Sequence, residues 1–140
     1  MSFECTRRMT RGCTLVLDLT VCDPMTVTDA DGTTRQVPNP DAPRDITDAL
    51  FVFTAKRDPD DDDDEALFQS RSFVVDPDQS TNKGKATLKI AANLTADVTI
   101  FPAGIGPVYH DIKIREADGD IFLLEKGPLL IEADASRSVA

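Results

Sequence analysis

Seven acidic residues crowd into residues 57–68, which read RDPDDDDDEALF. Aspartates alternate from Asp58, as the opening ligands of a calcium loop do. That kind of loop also needs glycine at its sixth position and glutamate at its twelfth, where this chain has Asp63 and Gln69. The sequence therefore assigns no metal ligand. We expect an acidic loop, residues 58–65, that is solvated between two strands; weak metal binding and docking of a basic partner stay open.

The single histidine, His110, is the side chain best suited to acid–base catalysis near neutral pH. On a strand it falls in phase with Ile112 and Ile114, so we expect it to face the core. No serine or cysteine stands in a recognisable arrangement to use it as a base. We therefore expect a neutral, hydrogen-bonded imidazole, and the sequence assigns no catalytic residue.

Three cysteines, Cys5, Cys13 and Cys22, lie within the first 22 residues. We expect no signal peptide, and an odd count of cysteines is then not typical of a disulfide framework, so we expect reduced thiols. A zinc site would need a fourth ligand at close spacing, but the gaps are eight and nine residues and the histidine is distant. The sequence therefore predicts no metal site and no cofactor.

Length and charge narrow the class of protein. The chain has 140 residues, 41% of them hydrophobic, and a net charge of −10. This is the size of one globular domain, and the negative charge argues against a nucleic-acid surface. No stretch approaches the roughly 20 apolar residues that a membrane span needs. We expect a soluble chain with neither nucleic acid nor membrane as its partner.

Alternating apolar and polar residues predict β-strands through much of the chain. Residues 13–21, CTLVLDLTV, would bury the side chains of Cys13 and the residues in phase with it, and residues 84–91, GKATLKIA, alternate in the same way. Residues 49–56, ALFVFTAK, are apolar enough for a central strand. Residues 66–75 resume the pattern after the acidic loop, which predicts a long hairpin with that loop at its tip.

Turn residues divide the remaining segments. Asp31-Gly32 lies between short β-prone runs and predicts an inserted hairpin near residues 25–37. Three prolines predict that residues 38–45 are an extended connector rather than a strand. An Asp-Gly and a Gly-Pro dipeptide divide residues 107–133 into three strands.

Seven to nine short strands, with no helical period longer than about one turn, predict an all-β fold. The expected architecture is an Ig-like antiparallel β-sandwich with the inserted hairpin. Residues 1–12 are expected to form an N-terminal arm, residues 13–133 the β-sandwich domain, and residues 134–140 a C-terminal tail.

Five segments, taken in order, resemble the small Ig-like β-sandwich structural proteins of tailed bacteriophages, especially the amino-terminal domain of baseplate upper proteins. They are RG at Arg11-Gly12, RDITDALFVFTAKRD, GKATLKI, YHDIKIREADGDIFLLEKGPLLI and ADASRS. The resemblance covers most of the chain. This chain departs from the family in a long link over residues 22–44 and in His110, where an aromatic residue is typical.

The resemblance implies a non-enzymatic structural protein of a phage or prophage virion, assembled in the host cytoplasm. Its partners would be other phage structural proteins in the baseplate or tail, or on the head or connector. It also implies a homo-oligomer, ring or lattice in the virion, which the edges and faces of a sandwich can form. The alternative is a soluble Ig-like binding module that recognises a ligand or calcium through the acidic loop.

Overall fold

A computed structural model of the chain describes residues 3–60, 62–96 and 108–132, and these residues are almost entirely β-structure. The all-β prediction is therefore confirmed. This part holds eleven strands, more than the seven to nine expected, and short 3₁₀ turns over Asp63–Glu65 and Ala92–Leu94. The strands are β1 Phe3–Glu4, β2 Arg7–Thr10, β3 Leu15–Thr20, β4 Cys22–Thr28, β5 Thr34–Pro43, β6 Leu50–Lys56, β7 Phe68–Ser70, β8 Ser72–Val75, β9 Lys85–Ile90, β10 Tyr109–Arg115 and β11 Ile121–Glu132.

The strands form two facing sheets and a separate two-stranded ribbon of β4 and β5. The larger sheet has the order β1-β11-β10-β6-β7, with β2 also pairing with β11, and the smaller sheet has the order β3-β9-β8. Both sheets supply the core, since Phe53 of β6 and Leu88 of β9 are fully buried in the same cluster. The rings of Phe51 and Phe73 meet across the sheets with centroids 5.5 Å apart. This packing is sandwich-like.

Alternation decides which face each strand buries. In β9, Ala86, Leu88 and Ile90 are buried, as expected. Cys13 is exposed, so its expected place among the buried residues is wrong. The reason is that β3 begins only at Leu15, beyond the turn that contains Cys13.

The prediction of a long hairpin across the acidic loop is wrong, because the two strands that flank the loop pair over three residues each. β6 and β7 pair from Phe53↔Ser70 to Ala55↔Phe68. The chain then crosses to the smaller sheet, where β8 pairs with β9. At the crossing, the Ser70 hydroxyl donates to the carbonyl oxygen of Lys89 in β9, at 2.5 Å. Alternation predicts which side chains face the core but not which sheet a strand joins, so it did not reveal the crossing.

The segment assigned to an N-terminal arm contributes two strands to the larger sheet. β1 and β2 both run parallel to β11, with pairs such as Phe3↔Glu125 and Arg7↔Leu129. Met9 of β2 is buried in the core. The sandwich is therefore antiparallel except along this edge. The division into arm, domain and tail stays a prediction, and the tail lies outside the described residues.

The two strands expected on either side of Gly127-Pro128 are one continuous strand, β11. β11 pairs with β10 as far as Pro128 and with β2 from Leu129, so its pairing continues across the predicted break. Glycine is required at position 127 because a Cβ atom there would overlap the carbonyl oxygen of Cys5. The glycine marks a close crossing of two chain segments and not a turn.

The hairpin predicted near residues 25–37 is confirmed as the ribbon, and it is longer than expected. β4 and β5 pair out to Cys22↔Pro43, with an irregularity near the base. β5 contains three prolines and extends to Pro43. The prediction of a connector over residues 38–45 is therefore wrong for residues 38–43, which belong to a strand. Because the ribbon has only two strands in the described chain, its prolines lie on edge strands, where they are tolerated.

Candidate functional site

The acidic loop folds back against the outer face of the larger sheet, where Asp63 forms ion pairs. Lys56 Nζ lies 2.9 Å from Asp63 Oδ1, and Lys113 Nζ lies 3.5 Å from Asp63 Oδ2. The hydrogen bond from Lys56 lowers the pKa of the Asp63 carboxyl group. The other described carboxylates of the loop are exposed. The described carboxylates of the loop are therefore largely solvated, as expected, and Asp63 anchors the loop to the sheet.

Beneath the anchored loop, Asp111 of β10 lines an open groove of about 580 Å³. Burial raises the pKa of Asp111. Its Oδ2 lies 3.9 Å from Lys56 Nζ, whereas Oδ1 is buried without a hydrogen-bond donor from the described residues. Lys126, Glu4 and Asp60 also line the groove. This mixture of lysines and carboxylates does not select a ligand of either charge.

Three exposed carboxylates of the acidic loop, on Asp62, Asp64 and Glu65, have ligand oxygens within 4.8 Å of one another. Of the alternating aspartates Asp58, Asp60 and Asp62, this group contains Asp62 alone. The 3₁₀ turn over Asp63–Glu65 brings this group together. Exposed acidic groups of this kind are common without a bound ion, so the group alone does not define a metal centre.

His110 is buried, as expected, and stacks on Phe53 with ring centroids 5.3 Å apart. Its Nδ1 lies 3.0 Å from the carbonyl oxygen of Gly127, and its Nε2 lies 2.6 Å from Oε2 of Glu125. Both partners are hydrogen-bond acceptors, a carbonyl and a carboxylate. His110 is therefore a hydrogen-bonded residue of the core, as expected, and the neutral form of its ring stays a prediction.

Glu125 of β11 joins His110 to Arg7 of β2. Arg7 donates through Nε to Oε2 at 2.9 Å and through Nη2 to Oε1 at 2.7 Å, a bidentate pair. Burial raises the pKa of Glu125, but the hydrogen bonds from Arg7 and His110 outweigh burial and lower the pKa to about 2. We call these three residues the buried clamp. It fastens the N-terminal strand β2 to β10 and β11.

The buried clamp is suited to structure rather than to proton transfer. The His110 side chain is 0% exposed and both of its nitrogens are engaged in hydrogen bonds. A general base must come within hydrogen-bonding reach of its substrate, and this geometry gives no such access. Arg7 and Glu125 were not identified from the sequence. The sequence signal that could have identified Glu125 is its position as an acidic residue inside the apolar run IFLLEKGPLLI.

The three cysteines are free thiols, as expected. Cys22 is buried at the base of the ribbon, Cys5 is partly exposed and Cys13 is exposed. Burial raises the pKa of the Cys22 thiol. Among the described residues, no cysteine belongs to a group with metal-ligand spacing. This arrangement suits Cys22 as a small packing residue.

The ribbon has one apolar face and one polar face. Met25 and Val37 are directly opposite each other, and Val27 follows two residues along the same face. On the other face, Gln36 donates to the Thr26 hydroxyl at 3.1 Å. Met25, Val27 and Val37 lie outside the core cluster and its partly buried neighbours. The ribbon therefore presents apolar side chains away from the interior of its own sandwich.

Arg44 fastens the base of the ribbon to the larger sheet. Its Nη1 donates to Asp23 at 2.9 Å, and its Nη2 donates to Glu116 at 2.6 Å. The guanidinium group also lies over the ring of Phe122, 5.5 Å from the ring centroid. These contacts fix the base, while most residues beyond it are exposed.

Within the described residues, no helix is long and apolar enough to cross a membrane. Comparisons with known proteins assign the chain to no family. No protein-family model matches it, and no curated protein shows significant similarity to it.

Proposed function

We propose that this protein is a non-enzymatic structural component of a tailed-phage or prophage virion. In the particle it packs against other virion subunits in the baseplate or tail, or on the head or connector. The observation that supports assembly is the apolar face of the ribbon, formed by Met25, Val27 and Val37 outside the core. A two-stranded hairpin is only marginally stable in water, so covering this face with a neighbouring subunit would stabilise it.

Two further features support this proposal. The resemblance of its motifs to those of phage structural proteins supports this kind of assembly. The buried clamp supports a non-enzymatic role, because it commits the histidine to hydrogen bonds inside the fold. Fold alone does not determine function, so the ribbon face is the feature to test.

The ribbon face predicts which substitutions prevent assembly. Changing Met25 and Val37 together to aspartate should leave the thermal unfolding midpoint nearly unchanged, because neither side chain belongs to the core. Incorporation into particles should fall at least about tenfold, since a buried unpaired charge opposes a subunit contact. The measurement is quantitative mass spectrometry of purified virions against a major virion protein.

The matched control changes Thr26 and Gln36, on the polar face of the same ribbon, to aspartate. This double variant should incorporate like the wild-type chain. Equal incorporation of both double variants would show that the apolar face of the ribbon does not contact a neighbouring subunit in the particle. Absence of the wild-type chain from purified virions would overturn the proposed function itself.

The second candidate function is a binding module that recognises calcium through the acidic loop. The observation that favours it is the proximity of the Asp62, Asp64 and Glu65 carboxylates. A protein that binds calcium only when folded gains stability with the free ion, by about 2.7 kcal/mol at a hundred times the dissociation constant. Thermal unfolding with calcium and with chelator measures this gain. The virion proposal predicts equal midpoints, and a calcium-dependent rise would favour the binding module.

A further inference from the structure

Lys56 is a buried lysine at the end of β6, on the outer face of the larger sheet beneath the acidic loop. Its side chain is 9% exposed. The other lysines of the chain, all within the described residues, are exposed or half-buried. A buried ammonium group loses its hydration, so it is costly unless it is well paired. The Nζ atom of Lys56 lies 2.9 Å from Oδ1 of Asp63, a side chain that is itself half exposed.

A second carboxyl group, that of Asp111 in β10, lies beside Lys56. Asp111 is paired with Thr54, so it is the diagonal neighbour of Lys56 on the same face of the sheet. Its side chain is largely buried, and its Oδ2 lies 3.9 Å from Lys56 Nζ, too far for a hydrogen bond. Its Oδ1 is buried without a donor from the described residues. The two groups are therefore close together, largely dehydrated and poorly satisfied as an ion pair.

Burial of Lys56 and Asp111 favours a neutral product over two charged groups. It raises the pKa of Asp111 and so favours the protonated carboxyl group, the form that an amine attacks. Condensation of the two side chains replaces an ammonium group and a carboxyl group with one neutral amide, which costs less to bury. The two strands also hold the reacting groups together, and reactants held in good geometry gain an effective concentration of about 10⁵ M or more.

We propose that Lys56 and Asp111 form an intramolecular isopeptide bond, an amide between side chains that joins β6 to β10. The neutral Nζ atom of Lys56 attacks Cγ of the protonated Asp111 carboxyl group. The N–Cγ bond forms, one C–O bond breaks, and a proton from the nitrogen goes to the departing hydroxyl group. One water molecule leaves, and nothing is oxidised or reduced. Because Cγ is one bond from Oδ2, rotation at the end of the lysine side chain brings Nζ towards the roughly 3–3.5 Å needed for attack.

Asp63 is the group positioned to carry the proton. Its Oδ1 lies 2.9 Å from Lys56 Nζ, so its carboxylate accepts the proton from the nitrogen and returns it to the hydroxyl group that leaves Asp111. The same hydrogen bond raises the pKa of Lys56 and favours the ammonium form, which slows the reaction. A cross-link forms only once in each chain, so a slow step is sufficient. The bond lies within a single chain and is independent of the virion proposal.

Mass spectrometry of the intact, purified chain after prolonged incubation at neutral pH tests for the bond. The wild-type chain should weigh less than its sequence by one water molecule. Tandem spectra of a protease digest should contain a branched peptide that joins Lys56 to Asp111. The Asp111→Asn variant should instead lose one ammonia molecule, because its leaving group is the amide nitrogen. A wild-type chain of full sequence mass, with residues 56 and 111 in separate peptides, overturns the proposal.

Lys56→Arg and Lys113→Arg are matched variants, since both lysines pair with Asp63. Arginine keeps the positive charge, but its guanidinium group stays protonated and is no nucleophile. The Lys56 variant should therefore keep its full sequence mass, whereas the Lys113 variant should lose one water molecule like the wild-type chain. Loss of water in both variants identifies a different dehydration, such as a succinimide at an Asp-Gly dipeptide, and overturns the proposal.

Replacing Asp63 with asparagine tests the proton transfer separately from the bond itself. An amide cannot accept the proton, so Asp63→Asn should form the bond about 100-fold more slowly, within the usual contribution of general acid–base catalysis. The fraction of linked chains at intervals after a pulse of synthesis measures the rate. Circular dichroism checks that the variant is folded, which is expected because Asp63 is half exposed. An unchanged rate overturns the role of Asp63 in the reaction.

Discussion

Replacing Glu125 with glutamine is expected to lower the free energy of unfolding by about 3–5 kcal/mol at neutral pH, the usual cost of removing one partner from a buried ionic group. The carboxylate accepts hydrogen bonds from Arg7 and His110 at once. A glutamine amide has only one acceptor oxygen, so its NH₂ group would face a donor. Denaturant unfolding followed by circular dichroism measures the change. An unchanged unfolding free energy would contradict the structural role of the buried clamp.

The pH dependence of this variant provides a second readout. The pKa of Glu125 is about 2 in the folded chain, against an ordinary value of 4.5. A carboxyl group with a lowered folded pKa stabilises the folded state above its unfolded pKa, and that stability is lost as the pH falls towards the folded pKa. The difference between the wild-type chain and Glu125→Gln should therefore be constant above pH 4.5 and shrink between pH 4.5 and 2.

Glu132 provides the matched control for Glu125, because it lies on the same strand and pairs with an arginine, Arg8, at 3.1 Å. Both side chains of that pair are largely exposed. Water and salt screen exposed ion pairs, so Glu132→Gln should change the unfolding free energy by less than about 1 kcal/mol. Equal losses of unfolding free energy in the Glu125 and Glu132 variants would show that the burial of Glu125 does not make its replacement more costly.

Replacing Gln79 with methionine, which has a similar length and no amide, is expected to lower the unfolding free energy by about 3 kcal/mol. Gln79 is buried, and its Oε1 accepts from the backbone N–H groups of Ile46 at 3.1 Å and Gly84 at 2.9 Å. Its Nε2 donates to the carbonyl oxygen of Asp76 at 2.8 Å. Each buried backbone group left without a partner costs about 1–3 kcal/mol.

Gln36→Met is the control for Gln79. Gln36 lies on the exposed ribbon and donates to Thr26, where water can replace the lost hydrogen bond. This variant should stay within about 0.5 kcal/mol of the wild-type chain. Chemical denaturation of the two variants side by side compares the effects. Similar losses would indicate that the Gln79 side chain does not hold the backbone of Ile46 and Gly84.

The local sequence pattern was sufficient to predict a strand that buries one face, and a hairpin whose strands are joined by a short turn. β9 alternates without interruption, and its inward residues are buried as the period requires. The Asp31-Gly32 turn likewise predicted the ribbon correctly, because that dipeptide favours a tight connection between strands. Two of the segments predicted wrongly, β7–β8 and β11, have a local pattern typical of strands but unexpected partners. In β5, by contrast, the three prolines predicted a connector where the structure has a strand.

The buried clamp shows why the functional geometry was less predictable than the strands. His110 was expected to be buried from its phase with Ile112, and it is. Its carboxylate partner, Glu125, lies on the neighbouring strand β11 and also binds Arg7 of β2, which is 118 residues away in the sequence. A register shift between Ile112 and Lys113 places Glu125 beside the histidine. A register shift of this kind has no sequence signature that periodicity can detect.

By itself, the sequence determined the β-character of this chain, the buried face of most strands, the ribbon turn and the exposure of the acidic loop. Those properties follow from side-chain alternation and from the backbone preferences of a few turn residues. Only the tertiary structure decided the parallel docking of the N-terminal strands, the crossing between sheets after Ser70, and the meeting of Arg7, His110 and Glu125. These features depend on pairings between distant segments, whose free energy comes from contacts that local sequence does not encode.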